Sequence, residues 1–411
     1  MRLISNLAAL ATVALPALGS PAGSTKVATA WYAGWHSTTG FPLSNITWSK
    51  YTHLTYAFAE TTADVTVLDL SNSNPELLPK FVSTAHQHGV KALVSIGGWT
   101  GSRFWSSNVA TATKRTAFVK TVAQFAKKYN LDGLDFDWEY PNNQGIGCNA
   151  VSPSDTANFL AFIQLLRADP IGKTLILSVA TATVPFLDAN GNPSTSVAGF
   201  SKVLDWIAIM NYDIWGPWSP TVGPNAPLDD SCAAPGNQAG SAVSAVKKWV
   251  NAGIPSNQLV LGVPGYGHSF RVRKASAFKP GSATVLAAYP TFDSSDPPVG
   301  DAWDDAAGVD VCGNQQPQGG VINFWGLIQN GFLNEDGTVK SGMASSFDTC
   351  SQTPYVYNPK TEVMVSYDNA KSFTAKGSFI KAKALKGFAM WEAGGDHNNI
   401  LINSIRAAAG F

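Results

Sequence analysis

Eight short β-type runs, most of them followed by a helical segment, predict a (β/α)8 TIM barrel with a small α+β insertion between strand 7 and helix 7. Two observations carry this expectation. The strand–helix beat holds from Val27 to Val263 and resumes near the end of the chain. Between His268 and about Lys360 it breaks, in a stretch rich in Gly, Pro, Asp and Ser that holds two of the four Cys. A doubly wound open sheet is the alternative, but no Gly-rich dinucleotide turn follows the first strand.

Taken in order, Val27–Tyr32 and His53–Phe58 read as strands one and two, with helical spacing over Pro75–His88. Lys91–Ile96 is the third strand and ends in Gly97-Gly98-Trp99. Ala112–Tyr129 places Phe118, Val122, Phe125 and Ala126 at helical intervals. The fourth strand is acidic and is taken up below. Ser154–Ala168 is the next helix, with Ser154 or Asp155 able to cap it. Leu175–Thr181 is the fifth strand, Val197–Leu204 a short helix and Trp206–Met210 the sixth strand. Ala242–Asn251 is helical and stops at Gly253 and Pro255. Leu259–Val263 and Gly387–Met390 are strands seven and eight, with Asn369–Leu385 as helix seven and Asn399–Ala409 as the closing helix. The barrel thus takes 24–267 and 361–411, the insertion 268–360.

The chain is built around Asp132-Gly-Leu-Asp-Phe-Asp-Trp-Glu-Tyr140. Acidic and apolar residues alternate, so a strand puts Asp135, Asp137 and Glu139 on one face and Leu134, Phe136 and Trp138 on the other. Neighbouring acids are then about 7 Å apart. Asp132 has the opposite parity and reads as a strand-start hydrogen-bonding residue. Phe136 and Trp138 are too apolar for an exposed face, so the strand is central. Three inward acids cannot all stay ionised in a low dielectric. Such an arrangement points to a site that uses carboxylates.

The bulk numbers narrow the partner. Twenty-eight basic and 28 acidic residues give a net charge of zero, which argues against nucleic acid or an anionic membrane. Thirteen Trp is a heavy load, and aromatic faces are platforms for flat, half-apolar sugar rings. Aromatic residues fall at or just past most of the strand ends: Tyr32 and Trp35, Tyr56 and Phe58, Trp99, Tyr212 with Trp215 and Trp218, Tyr266, and Trp391. In a barrel the chemistry sits at those ends. An aromatic groove with acids at its centre suits a polysaccharide.

Residues 1–19 read as a secretory signal, with Arg2, the apolar run Leu7–Leu18 and the small-residue end Ala17-Leu-Gly19. The expected location is extracellular, where disulfides are permitted. Cys148, Cys232, Cys312 and Cys350 match no zinc spacing. Of the three pairings, Cys148–Cys232 with Cys312–Cys350 keeps each bridge within one region and is the expected one. Asn45-Ile-Thr47 is an N-glycosylation acceptor; Asn192-Pro-Ser194 is excluded by its Pro.

These residues together resemble the family 18 glycoside hydrolases, the chitinases. Asp132-Gly-Leu-Asp-Phe-Asp-Trp-Glu139 is similar to that family's Asp-x-x-Asp-x-Asp-x-Glu signature. Ser95-Ile-Gly-Gly98, Met210-Asn-Tyr-Asp213, Asn225-Ala-Pro-Leu228 and Gly387-Phe-Ala-Met-Trp-Glu392 resemble its other motifs, in order along the chain. The resemblance implies hydrolysis of β-1,4-linked N-acetylglucosamine with the substrate's own acetamido oxygen as nucleophile, the stated exception among glycosidases. It implies Glu139 as general acid and base. Asp137 would compensate the acetamido nitrogen, Asp135 would share a proton with Asp137, and Tyr212 would hold the acetamido oxygen. Asp213, Trp391, Trp99 and Trp218 would contact sugar, and Tyr32, Phe58, Met210 and Tyr266 would shape the pocket. It also implies non-proline cis peptides at Ala57–Phe58, Glu139–Tyr140 and Trp391–Glu392.

One departure is visible. The family's Arg after Tyr-Gly is His268 here, with Arg271 three residues on as a substitute. The expected partners are chitin and chitooligosaccharides, with no cofactor, no metal, no nucleic acid and no membrane, for a monomeric chain. A sugar-binding lectin of the same fold is the second reading, disfavoured by the presence of Glu139, Asp137 and Tyr212. An endo-β-N-acetylglucosaminidase acting on N-glycan cores is the third.

Overall fold

The computed structural model describes residues 26–411; the expected signal at 1–19 lies outside them. Eight strands close into a parallel barrel: β1 (Val27–Ala33), β2 (His53–Thr61), β3 (Lys91–Gly97), β4 (Gly133–Asp137), β5 (Ile176–Thr181), β6 (Trp206–Ile209), β7 (Leu259–Pro264) and β8 (Gly387–Trp391). Each pairs with its neighbour in chain order, and β1 pairs both β2 and β8. The main outer helices are α1 (Leu78–Gln87), α2 (Ala112–Tyr129), α3 (Asp155–Ala168), α4 (Ala242–Asn251), α5 (Ala370–Ala382) and α6 (Ile400–Ala409). Helix starts carry local signals: Thr111 caps α2, and Ser241 and Asn369 form capping boxes at α4 and α5.

Strand parity decides what each residue faces. Leu134, Phe136 and Trp138 pack outward in the main core, where Trp105 stacks on Trp138 at 5.5 Å and Phe159 and Phe162 close in from α3. Trp31, Ala57, Leu93, Ala180, Trp206, Ala208, Val260 and Ala389 form a second cluster inside the barrel. Asp135 and Asp137 share that interior parity and are 2% and 4% exposed.

The same parity corrects one expectation. Tyr32 does not face the groove. It lies in the outer core, stacked on Phe81 at 5.6 Å and donating to the Phe41 carbonyl at 2.9 Å. Its neighbour Trp31 takes the interior place.

The insertion is built on a five-stranded antiparallel sheet, in the order Val321–Asn323, Tyr266–Arg271, Val363–Ser366, Thr353–Asn358, Ala344–Asp348. It begins at Tyr266, in the strand that continues β7, and ends at Ser366, just before α5. The disulfides join Cys148 to Cys312 and Cys232 to Cys350. The expected pairing was therefore wrong. It assumed that each bridge stays within barrel or insertion, whereas both bridges tie a barrel loop to the insertion.

Candidate active site

The three acids of β4 lie in different environments. Asp135 accepts three hydrogen bonds: Trp31 Nε1 at 3.0 Å and Ser95 Oγ at 2.8 Å on Oδ2, Ser178 Oγ at 2.7 Å on Oδ1. Burial raises its carboxyl, and these three donors pull it back. Asp137, one strand repeat on, is pushed well above the usual carboxylate range by burial first, then by the charges of Glu139 and Asp135. Its Oδ1 is buried without a protein partner. Glu139 stands beyond the end of the ladder, half-buried at the barrel mouth. It is raised to about 7, chiefly by burial, with a further push from Asp213 and a counter-pull from the Tyr140 hydroxyl. The sequence reading assigned this shift to neighbouring charge; desolvation is the larger cause.

The backbone around Glu139 is pinned. Its N–H donates to Ser102 Oγ at 3.0 Å, that hydroxyl donates to the Asp137 carbonyl at 3.0 Å, and Asn149 Nδ2 donates to the Glu139 carbonyl at 2.7 Å. The Ala57–Phe58, Glu139–Tyr140 and Trp391–Glu392 peptides are all cis, as the resemblance implied.

Facing the acids, Tyr212 follows β6 and sits edge-on to Tyr266 at 6.2 Å. Burial and then the charge of Asp137 hold its hydroxyl well above the ordinary tyrosine value, so it stays protonated. Asp213 has φ +56°, and its N–H donates to Asn225 Oδ1 at 2.9 Å. Asn225 Nδ2 also donates to the Tyr266 carbonyl at 3.1 Å, so the second half of the sixth-strand motif fixes the first. Asp213 Oδ1 accepts the Tyr266 hydroxyl at 2.7 Å and lies 2.7 Å from His268 Nε2.

His268 thus occupies the wall where an Arg was expected. Arg271 does not substitute for it. Three residues along a strand reverses the side-chain direction, and its Nε pairs with Asp296 Oδ2 at 2.9 Å.

The groove above the barrel has a volume of about 820 Å³. It reaches from Trp35 and Trp303 to Trp99 and Trp218, over Glu139, Tyr140, Asp213 and Tyr266. A deeper pocket of about 190 Å³ continues it down to Asp137, Tyr212 and Met210, with Phe58 and Trp391 in its wall. Trp391 stacks on Phe58 at 5.4 Å and lies 6.1 Å from Trp31, a continuous aromatic floor. Trp99 and Trp218 are 50% and 63% exposed, unusual for the largest side chains unless something covers them in use.

Eleven of the twelve residues expected at the site therefore meet around the two cavities or the acid row; Tyr32 does not. Sequence reasoning missed Trp31, Tyr140, Trp303 and Glu392. Trp31 carried no signal, because strand one is buried on both faces and its parity cannot be read from the sequence.

Asp132 sits apart, at the opposite end of β4. It accepts from Lys91 Nζ at 2.7 Å and the Ala92 N–H at 2.9 Å and lies 2.7 Å from His86 Nε2, which together outweigh the upward effect of burial and lower its pKa.

Known proteins resemble this chain in sequence and fold. Over 395 residues the chain is 57% identical to a chitinase-like effector of Moniliophthora roreri, covering 96% of each chain. It matches the crystal structure of the chitinase RmChi1 from Rhizomucor miehei with a TM-score of 0.83 at 34% identity, over 93% of this chain and 99% of that one. A family 18 chitinase of Cycas revoluta in complex with (GlcNAc)3 matches with a TM-score of 0.73 at 25% identity, over 93% of this chain and 100% of that one. The sequence profile of the glycosyl hydrolases family 18 matches residues 28–396. By that match, which runs from β1 to just past β8, the chain belongs to glycosyl hydrolase family 18.

Proposed function

We propose that this chain is a chitinase that cleaves β-1,4 bonds between N-acetylglucosamine units with retention, through an oxazolinium ion formed by the substrate itself. The observation that carries the reading is the graded proton affinity along β4. Asp135 accepts three hydrogen bonds, surroundings that favour its anionic form against the upward effect of burial. Asp137 above it is pushed well above the usual carboxylate range by burial and then by the charges of Glu139 and Asp135, which suits it to carry the proton the two share. Glu139, raised to about 7, is protonated below neutrality and stands at the groove floor. A pKa near the working pH is what a group needs to give a proton and take it back.

In this reading Glu139 gives its proton to the glycosidic oxygen as the bond to the anomeric carbon breaks. The acetamido carbonyl oxygen bonds to that carbon from the other side. Asp137 accepts the acetamido N–H while the ring carries positive charge, its own proton passing toward Asp135. Tyr212 donates to the acetamido oxygen and holds it in line, which is positioning with charge stabilisation. Water then opens the ring, and its proton returns to Glu139. Trp391 supplies the floor under the distorted sugar, and Trp99 and Trp218 flank that sugar on either side.

The solved relative holding (GlcNAc)3 supports the sugar class. Glu139→Gln tests the mechanism. Turnover of an N-acetylglucosamine tetramer should fall by about 10²–10⁴-fold, with affinity retained in calorimetry. Undiminished turnover would remove Glu139 from the mechanism.

A second reading is sugar binding without hydrolysis, raised because the Moniliophthora roreri relative is named a chitinase-like effector rather than a chitinase. It predicts tight tetramer binding by the wild-type chain and no product at all. We also propose that the chain works outside the cell as a monomer, with a glycan on Asn45. Two disulfides suit that compartment, and the Asn45 side chain is exposed. Enzymatic deglycosylation of the secreted chain should lower its mass by one glycan.

A further inference from the structure

The Cys148–Cys312 bridge joins the loop after β4 to the tip of a hairpin in the insertion. One end belongs to the insertion. Gly308–Val309 pairs antiparallel with Gln315–Gln316 to make a short hairpin, and Cys312 is in its tip. The base of the hairpin lies on the β7 rim. Val321 pairs with His268 in the strand that continues β7, Gly319 N–H donates to the Asp305 carbonyl at 2.9 Å, and Asp305 itself lines the groove. Asp304 latches the two legs, accepting the N–H groups of Gly300, Gly320 and Val321 at 2.9–3.0 Å.

The other end belongs to the loop that follows Glu139. There Asn149 donates to the Glu139 carbonyl at 2.7 Å, and the Ala150 N–H donates to the Arg103 carbonyl at 3.0 Å, four residues past Trp99. Cys148 is therefore on the β3–β4 rim. In a closed ring of eight strands, β3 and β4 stand opposite β7 and β8. Seven extended residues, from Asp305 to Cys312, reach about 23 Å, enough to cross a barrel mouth.

The exposure of the hairpin says how it crosses. All four of its paired residues are exposed, Val309 to 61%, and Val311 beside the tip is exposed to 49%. A hairpin lying along a protein surface buries one of its faces. This one buries neither at its four paired positions, as a hairpin held only at its base and tip would. A free two-stranded hairpin is marginal in water. Here Asp304 holds the base, the disulfide holds the tip, and Asp310 organises the turn by accepting the Cys312 and Asn314 N–H groups at 2.8 Å.

We propose that this hairpin is a fixed roof over the groove, and that it makes the site a tunnel which admits chitin chains by their ends. This deepens the chitinase reading and rests on it. Short oligosaccharides thread freely. Internal bonds of a long chain reach Glu139 only after an end has passed under the strap, so the strap is the determinant of end-on over mid-chain attack.

The test uses the whole chain and two strapless forms: Cys148→Ser with Cys312→Ser, and Cys148→Ser with 307–317 replaced by Gly-Gly, a connection short enough to join the adjacent legs. Viscosity loss and new reducing ends are followed together on glycol chitin, with an N-acetylglucosamine tetramer as the folding control. The wild-type chain should release many reducing ends for little loss of viscosity. Both strapless forms should lose viscosity several-fold faster per reducing end while tetramer turnover is unchanged. An unchanged ratio with intact tetramer turnover overturns the roof.

If no form cleaves the tetramer, the hydrolytic reading fails by itself, and binding decides the roof. With Glu139→Gln in each background, the association rate at a fixed mass of glycol chitin should fall with polymer length only when the strap is closed. Equal length dependence in open and closed forms overturns it.

Discussion

At the scale of single residues, the chemistry rests on where protons sit. Glu139 can act as an acid only while protonated, and its carboxyl is raised to about 7 by burial and by Asp213. The sign follows directly. Below about pH 7 the acid is loaded; above it, kcat/KM for the tetramer should fall tenfold per pH unit. Asp213→Asn removes one negative charge from beside Glu139 and should move that alkaline limb to lower pH. A limb that stays in place would mean that Asp213 does not act on Glu139 through its charge. The acid row itself was legible because a period of two is unambiguous once one face is apolar. Tyr32 was misread for the opposite reason. Strand one is buried on both faces, so nothing in Ala30-Trp-Tyr-Ala33 marks which aromatic points inward. Only the partners settle it: Asp135 takes the Trp31 indole N–H, and Phe81 takes the Tyr32 ring.

Elements show the same contrast between local and distant causes. The glycines closing β3 are a local device. Gly97 has φ +116°, and a Cβ there would come within 2.0 Å of the Asp137 carbonyl oxygen; at Gly98 it would meet the Phe58 ring at 2.9 Å. The Ser95-Ile-Gly-Gly98 stretch therefore lets β3 approach the acidic strand at its working end, while Ser95 donates to Asp135. Gly97→Ala should destabilise the fold by more than about 1 kcal/mol, since the backbone is left-handed and the contact is with main chain. It should also lower turnover more than stability alone explains, because the atom displaced belongs to Asp137. Denaturant unfolding beside tetramer kinetics checks both. An alanine variant of wild-type stability would show that the strand can yield. Helices and strands with a strong period were readable in this way, apart from frayed ends such as α1, which starts at Leu78 rather than Pro75. The disulfides were not readable. Which Cys meets which depends on the insertion crossing to barrel loops, and no spacing along the chain encodes that.

Over the whole molecule, a net charge of zero conceals an uneven store of protons. Glu392, just past β8, accepts the Ala33 N–H at 3.1 Å, and burial raises it to about 8. Its Oε1 faces His36 Nδ1 at 3.3 Å, and burial lowers that imidazole to about 4. At neutral pH the pair is thus an uncharged acid beside an uncharged base. The two groups bend stability in opposite directions. A carboxyl raised in the folded state stabilises fully below its unfolded pKa and loses that contribution as pH rises through the folded value. For Glu392 the window runs from about 4.5 to about 8, and for Glu139 from about 4.5 to about 7. An imidazole lowered in the folded state stabilises above about 6.5 and loses that contribution as pH falls toward 4. Between pH 4.5 and 6.5 the one imidazole offsets only one of the two acids, so stability falls gently as pH rises. From 6.5 to 8 the imidazole is already neutral in both states and only the acids titrate. The melting temperature should therefore fall as pH rises from about 5 to 8, most steeply just above pH 6.5, where both acids titrate and no imidazole opposes them. Glu392→Gln keeps the Ala33 hydrogen bond and removes the titration, so its decline should be visibly shallower, as calorimetry across pH 5–9 would register. An equally steep decline in that variant would place the alkaline instability in the acid row of β4, with Asp137 and Glu139 as its source.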